Sequence, residues 1–355
     1  MKKTLIALAV LTVSGASFAQ SSVQIDGVMD AGFQSIDYKG TRVNGIANNG
    51  SSTSQINFRG SEDLGGGLKA NFRVETDWNT VSNNGNTGAK KADGTVAAAS
   101  TFGNGEIRVG LSGAFGSIDA GAVNYNTLGT YLTGQPFGTA IGSGFRATAV
   151  NDAQAVSGVR SDNSVKYVSP SFSGLTASLY YAGKQTKSSA TDFSTSFGAY
   201  DMQGTTELGV NYANGPLAAS FSSLKQDFKQ VGTGTTDSTV NTLGVNYALG
   251  NAKLFLLNQT NKKSDNSVNN KYTTVSATYT MGSTVLMAQV GGLKNAAGLK
   301  SDIAAVGADY NLSKRTAVYA RYESINDKAG LIAVTGFTAA NTTRTRTAIG
   351  VRHAF

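Results

Sequence analysis

The chain has 355 residues with 43 Gly, 3 Pro, no Cys, a single His and only 15% charged residues. Average domains run about 25% charged and about 7% Gly. A disulfide scaffold or thiolate metal site needs Cys, a helical membrane protein needs apolar runs of about 20 residues, and a disordered chain would be poorer in Val, Ile, Tyr and Phe; all three are excluded. The formal charge of +8 suits nucleic-acid binders, anion binders and surface proteins alike, so its sign gains meaning only with a location.

The location is written at the start. Lys2 and Lys3 form a basic region, Thr4 to Val13 an apolar stretch, and Ser17-Phe18-Ala19 a small-residue site, the pattern of a secretory signal peptide. Residues 1–19 are therefore expected to be removed, leaving a mature chain, Gln20 to Phe355. A spanning helix would need about twice that apolar length.

From there on the apolar residues alternate. Ile56 and Phe58 alternate with Gln55, Asn57 and Arg59; Phe72 and Val74 with Asn71, Arg73 and Glu75; Ile107, Val109 and Leu111 with Glu106, Arg108 and Gly110. This is the two-residue period of strands with one apolar face. Four segments end in an aromatic residue followed three positions later by Gly or Ser: Tyr212 to Gly215, Tyr247 to Gly250, Tyr279 to Gly282 and Tyr310 to Ser313, with the tyrosines 35, 32 and 31 residues apart. That period fits two strands of about ten residues, one tight turn and one longer polar loop, with Tyr at a membrane interface.

Seven short turns are expected, at Glu62 to Gly66, Ser112 to Gly116, Pro170 to Gly174, Asn214 to Pro216, Leu249 to Asn251, Met281 to Ser283 and Leu312 to Arg315. Eight longer polar loops interleave, near residues 39–50, 82–101, 125–161, 184–203, 228–237, 262–270, 294–301 and 326–342. Together they join sixteen strands into an all-β, antiparallel transmembrane barrel, because an even strand number lets both termini meet on the short-turn side.

A basic residue facing lipid near mid-bilayer costs about 2–4 kcal/mol, so Arg59, Arg73, Arg108, Arg321, Arg344, Arg346 and Arg352 are assigned to the lumen. The last strand then points Thr347, Ile349, Val351, His353 and Phe355 outward. The eleventh strand resists this rule: an inward Lys253 takes Phe255 and Leu257 inward too, which suggests a subunit contact or a bulge.

Six segments carry a resemblance in order along the chain: Met1-Lys-Lys-Thr-Leu with Ala19 to Gly32, Phe58-Arg-Gly-Ser-Glu-Asp-Leu-Gly-Gly-Gly-Leu-Lys-Ala70, Val109-Gly-Leu-Ser-Gly-Ala-Phe-Gly116, Asn163-Ser-Val-Lys-Tyr-Val-Ser-Pro-Ser-Phe172, Leu312-Ser-Lys-Arg-Thr-Ala-Val-Tyr319 and Gly350-Val-Arg-His-Ala-Phe355. The chain resembles the general porins of beta-proteobacterial outer membranes. The resemblance implies a homotrimer of sixteen-stranded barrels in lipid and lipopolysaccharide, a third loop folded into the lumen, and passive diffusion of small hydrophilic solutes. It also implies that Phe355 addresses the barrel-assembly machinery.

Height above the short-turn rim is about 2.3 Å per residue for a strand rise of 3.3 Å and a tilt near 45°. Arg59, Arg73 and Arg108 then fall in one band on neighbouring strands. The resemblance adds Arg160 to Arg59 and Arg108 as a constriction cluster, with Arg73, Arg146 and Glu75 in support. The third loop carries Arg146 and Arg160 against one acid, Asp152. Arginine does not deprotonate near neutral pH, so an opening lined by it attracts anions. In the opposing reading each arginine merely pairs with an inward acid, Glu75, Asp77, Glu106 or Asp119, which weakens its far field.

Catalysis finds little support. The one His lies on an outward phase three positions from the end, whereas a general base needs a positioned partner and substrate; a P-loop and a Gly-x-Ser-x-Gly elbow are absent from the sequence. No cofactor, metal or nucleic acid is expected. The rivals to an anion-preferring diffusion channel are a channel specific for organic anions or phosphate and, less well supported, an adhesin or enzyme built on a barrel.

Overall fold

The computed structural model describes residues 21–38, 40–81, 102–144, 159–184, 200–230, 234–328 and 342–355. Residues 1–20, the expected loop at 82–101, most of those expected at 184–203 and 326–342, and Arg146 and Asp152 lie outside them. Seventeen strands are described: β1 (Ser22–Tyr38), β2 (Thr41–Asn48), β3 (Gln55–Gly65), β4 (Leu68–Asp77), β5 (Ile107–Gly113), β6 (Gly116–Asn124), β7 (Arg160–Val168), β8 (Leu175–Ala182), β9 (Tyr200–Asn214), β10 (Leu217–Gln230), β11 (Gly234–Leu249), β12 (Ala252–Lys263), β13 (Asn269–Met281), β14 (Thr284–Lys294), β15 (Lys300–Asn311), β16 (Thr316–Asp327) and β17 (Thr342–Ala354). Between β6 and β7 lies a helix, α1 (Asn126–Thr133).

Each strand pairs antiparallel with its neighbours, and β17 returns to β1 along Val28↔Ala354 to Tyr38↔Arg344. Closure removes the free sheet edges that a bilayer does not tolerate. The other edge of β1 pairs first with β2, from Ala31↔Asn48, and then with β3, from Val28↔Gln55. So β2 and β3 are two halves of one stave, and the barrel has sixteen.

The split has a local cause. Asp30, fully buried on β1, accepts the backbone N–H groups of Gly50, Ser51 and Ser52 at 3.3, 2.7 and 2.7 Å and the Tyr319 hydroxyl at 2.6 Å. Three successive amides curled around one carboxylate satisfy a buried charge, and curling them takes residues 49–54 out of the ladder. The expected loop at 39–50 is thereby corrected: the chain reverses between Tyr38 and Thr41, and the excursion comes later.

The tight turns fall where expected, for example at Gly66–Gly67, Gly215–Pro216 and Gly250–Asn251. Several expected long loops are shorter. β10 and β11 run to Gln230 and from Gly234, leaving three connecting residues where 228–237 was expected to be loop. Apart from Phe228 the strand ends there are polar and carry Gly, Thr and Asp, so by composition they look like loop.

The final strand takes the expected phase, with Ile349 and Val351 exposed and Ala348 buried. Its end is locked to β1 by two 3.1 Å bonds, Phe355 N–H to the Gly27 carbonyl and Gly27 N–H to the Phe355 carbonyl. A Cβ at Gly27 would lie 2.7 Å from Phe355 Cζ, so glycine makes room for the terminal ring.

Candidate pore constriction

The lumen wall of β3, β4 and β5 carries a row of guanidinium groups. Arg59 stands directly across from Arg73, and Arg73 directly across from Arg108. Arg160 opens β7 opposite Asn124, donates from Nε to Asn124 Oδ1 at 2.9 Å and approaches Glu75 Oε1 at 3.8 Å. Four of the residues expected to act together, with Glu75, therefore share one wall.

Each arginine has an acid. Asp26 holds Arg59 through two contacts of 2.9 Å. Arg73 bridges Glu75 and Glu106, the latter at 2.8 Å. Arg108 pairs with Asp119 and donates to Asn71 Oδ1 at 2.8 Å. The partners are unequally placed. The side chains of Arg59, Arg108 and Arg160 keep 46%, 28% and 22% exposure, whereas Glu75, Glu106 and Asp119 keep 8%, 9% and 10%. Glu75, Glu106 and Asp119 sit back in the wall behind more exposed guanidinium groups, whereas Asp26, at 33% exposure, stays at the surface beside Arg59.

The third loop occupies the other wall. Helix α1 packs on β9, β10 and β11, and its first N–H groups meet a buried carboxylate, Glu207 of β9: Thr127 donates from N at 2.7 Å and from Oγ1 at 2.6 Å, and Asn126 N also donates. A negative group at a helix N-terminus satisfies orphan donors and complements the dipole. Glycine permits the close approach, since a Cβ at Gly244 of β11 would lie 2.1 Å from the Thr130 carbonyl oxygen. Asn246 Nδ2 closes the far end by donating to Thr133 O at 2.8 Å.

Beyond the helix the loop crosses to β14–β16. The Ser143 carbonyl accepts the Tyr131 hydroxyl at 2.6 Å and Gln289 Nε2 at 3.2 Å. Gly142 N–H donates to Glu323 Oε2 at 3.0 Å. Glu323, fully buried, also accepts Arg346 Nε at 2.8 Å and Arg344 Nη2 at 3.1 Å. Burial pushes the hydroxyls of Tyr125 and Tyr131, both in this loop, well above the ordinary tyrosine range, which keeps both protonated; Tyr131 donates to the Ser143 carbonyl, and Tyr125 accepts from Gln226 Nε2 at 2.9 Å. Thr53 of the excursion meets Thr139 of the loop at 3.1 Å. This contact closes a ring of arginine wall, excursion and loop. The described part of the loop, residues 125–144, carries no charged side chain.

The odd phase of the eleventh stave, here β12, finds its explanation in this loop. Lys253, Phe255 and Leu257 do point inward, but the suggested subunit contact or bulge is corrected. Leu257 is buried with Tyr131, Tyr272, Leu293, Ile303 and Ile325, and a Cβ at Gly134 would lie 2.9 Å from Leu257 Cβ. An inward apolar residue is the seat of the loop. Sequence reasoning also missed Asp26, Glu207 and Glu323. Their signal was an acid on the inward phase, which needs a partner across the wall, Arg59 for Asp26, or in the loop, Asn126 and Thr127 for Glu207 and Gly142 for Glu323.

A closed barrel of sixteen staves, short turns on one rim, longer connections on the other and a loop packed inside it define a diffusion channel of the outer membrane rather than an enzyme. The chain belongs to the Gram-negative porin family, whose model matches residues 4–330. It is 35% identical to outer membrane porin protein 32 of Delftia acidovorans across the full length of both chains. It is 27% identical to major outer membrane protein P.IB of Neisseria lactamica, also over both full lengths. An anion-selective porin from Comamonas acidovorans superposes with a TM-score of 0.76 at 30% identity, covering 95% of this chain and all of that one.

Proposed function

We propose that this porin prefers anions and that Arg59, Arg108 and Arg160 form the anion-attracting side of its constriction, supported by Arg73 and Arg146 and tuned by Glu75. The observation that carries the reading is the order of charge at Arg108 and Arg160, whose guanidinium groups are more exposed than the acids that hold them, with Arg59 the most exposed arginine of the row. Pairing lowers the far field, but a passing ion meets the nearer charge first, and salt screening damps the more distant acid more than the guanidinium in front of it. The porin from Comamonas acidovorans, similar over nearly the whole chain, is anion-selective, which agrees with this reading.

In the working protein residues 1–19 are removed on export, three copies assemble in the outer membrane, and Phe355 addresses the assembly machinery. The deciding experiment is the zero-current potential across a KCl gradient in a planar bilayer. The wild type should give a chloride-favouring potential that shrinks as salt rises. Replacing Arg59 and Arg108 with Ser should move it toward potassium with the barrel intact, and an unmoved potential would sink the assignment. Saturable block by phosphate or a dicarboxylate would point instead to a substrate-specific channel.

A further inference from the structure

The third loop leaves the wall at Asn124, the last residue of β6. The register of β6 against β7 shifts between Gly121 and Val123, and such a bulge bends a strand and disrupts the ladder beside it. Backbone groups freed in this way need other partners. At Asn124 charged side chains supply them: the N–H donates to Glu106 Oε1 at 3.0 Å, and the carbonyl accepts Lys166 Nζ of β7 at 3.0 Å. With Arg160 Nε on Oδ1 at 2.9 Å, three charged groups hold one uncharged residue.

Lys166 stands directly across from Asp119, and Glu207, Glu106 and Asp119 act on its charge together with Arg108. Among the described residues its ammonium nevertheless makes no direct ion pair, and its hydrogen bond goes to the root of the loop. Glu106, buried in the wall, faces two ways. Its Oε1 holds the loop root, while Oε2 takes Arg73 Nη1 at 2.8 Å and lies 3.7 Å from Arg108 Nε. One carboxylate therefore joins the start of the loop to the middle of the arginine row.

We propose that Lys166 and Glu106 are positioning residues that set the width of the constriction. They clasp Asn124 against the wall, and through Glu106 the placement of the loop is tied to that of the arginines. The wall stands behind Asn124, so a released root can lean only toward the lumen. The proposal rests on the diffusion channel and is independent of its ion preference.

The test is swelling of liposomes that hold the full-length protein, in uncharged sugars of increasing size, which read width and ignore charge. In K166M the rate for a disaccharide relative to a pentose should fall about twofold or more, because passage follows pore diameter. K166R, whose guanidinium can donate to the same carbonyl, should restore the wild-type ratio. Wild-type sieving by K166M would overturn the clasp, even with a lowered melting temperature, and so would a K166R that sieves like K166M. E106Q, isosteric with the native side chain, keeps the test open should K166M fail to fold. An amide has one acceptor oxygen where the carboxylate has two, so Asn124 and Arg73 cannot both be held, and sieving and zero-current potential should shift together. A shifted potential with wild-type sieving would overturn the coupling.

Discussion

The two walls of the lumen hold similar charged groups and use them for different ends. On β3–β5 and β7 the arginines remain partly exposed, and the acids of Arg73, Arg108 and Arg160 are more buried than the guanidinium groups they hold. On β16 and β17 the order is lost: Glu323 and Arg344 are both buried, and the acid is spent on the backbone of Gly142 as well as on two guanidinium groups. On the proposed reading one wall presents charge to solutes, while the other uses it to hold a loop. The same residue types can therefore act as selectivity or as scaffold, and only the radial position of the carboxylate tells which.

The largest break in this comparison should come from the scaffold wall. Glu323→Ala leaves Arg344 and Arg346 in the wall without their shared acid and frees Gly142. Removing one partner of a buried pair costs about 3–5 kcal/mol. The temperature at which the folded, fast-migrating band disappears on a gel should fall steeply, and open-channel noise should rise as the loop tip loosens. An unshifted transition would show that the loop is held without Glu323, by its helix and by the bonds to the Ser143 carbonyl.

Gly244→Val comes next. Its side chain would strike the Thr130 carbonyl, 2.1 Å from where the first added carbon must go, so α1 has to move toward the lumen. Overpacking of this kind costs about 1–3 kcal/mol. Conductance should fall, because the loop narrows the opening from its own side. A variant with wild-type conductance would mean that α1 yields along the wall and not away from it.

How far these features were readable from sequence follows from where each is encoded. Alternation and turn chemistry are local, so Ile107, Val109 and Leu111 face out as their spacing says, and the tight turns fall at the expected glycines. The row Arg59–Arg73–Arg108 was legible because height can be counted from turns. The seat of the third loop was not, because an inward Leu257 has meaning only once Tyr131 packs on it, and that contact joins residues far apart in the chain. The split at 49–54 was hidden for the same reason: its cause, Asp30, sits on another strand, and nothing near Gly50 announces it.

On the arginine wall the effects should appear in selectivity more than in stability. Glu75→Gln removes the carboxylate that Arg73 and Arg160 share and leaves an amide that still accepts a hydrogen bond. Chloride preference should rise about two- to fivefold, which corresponds to roughly 0.5–1 kcal/mol in the barrier. The measurement is again the zero-current potential at low salt. A fall in chloride preference would mean that Glu75 positions the arginines and that their alignment outweighs their net charge.

The smallest effect separates the row from the charge of the protein at large. Asp37 pairs with Arg42 at 3.4 Å near the long-loop end of β1, where the arginine is mostly exposed. Asp37→Asn raises the net charge by the same single unit as Glu75→Gln. An exposed pair is worth about 0.2–1 kcal/mol, and at about 0.1 M salt a rim charge more than about 10 Å from the opening is largely screened. Stability and potential should both stay close to wild type. If the two variants shift the potential equally, selectivity belongs to the summed charge of the mouth. If only Glu75→Gln moves it, the preference is set locally, by guanidinium groups held in front of their acids.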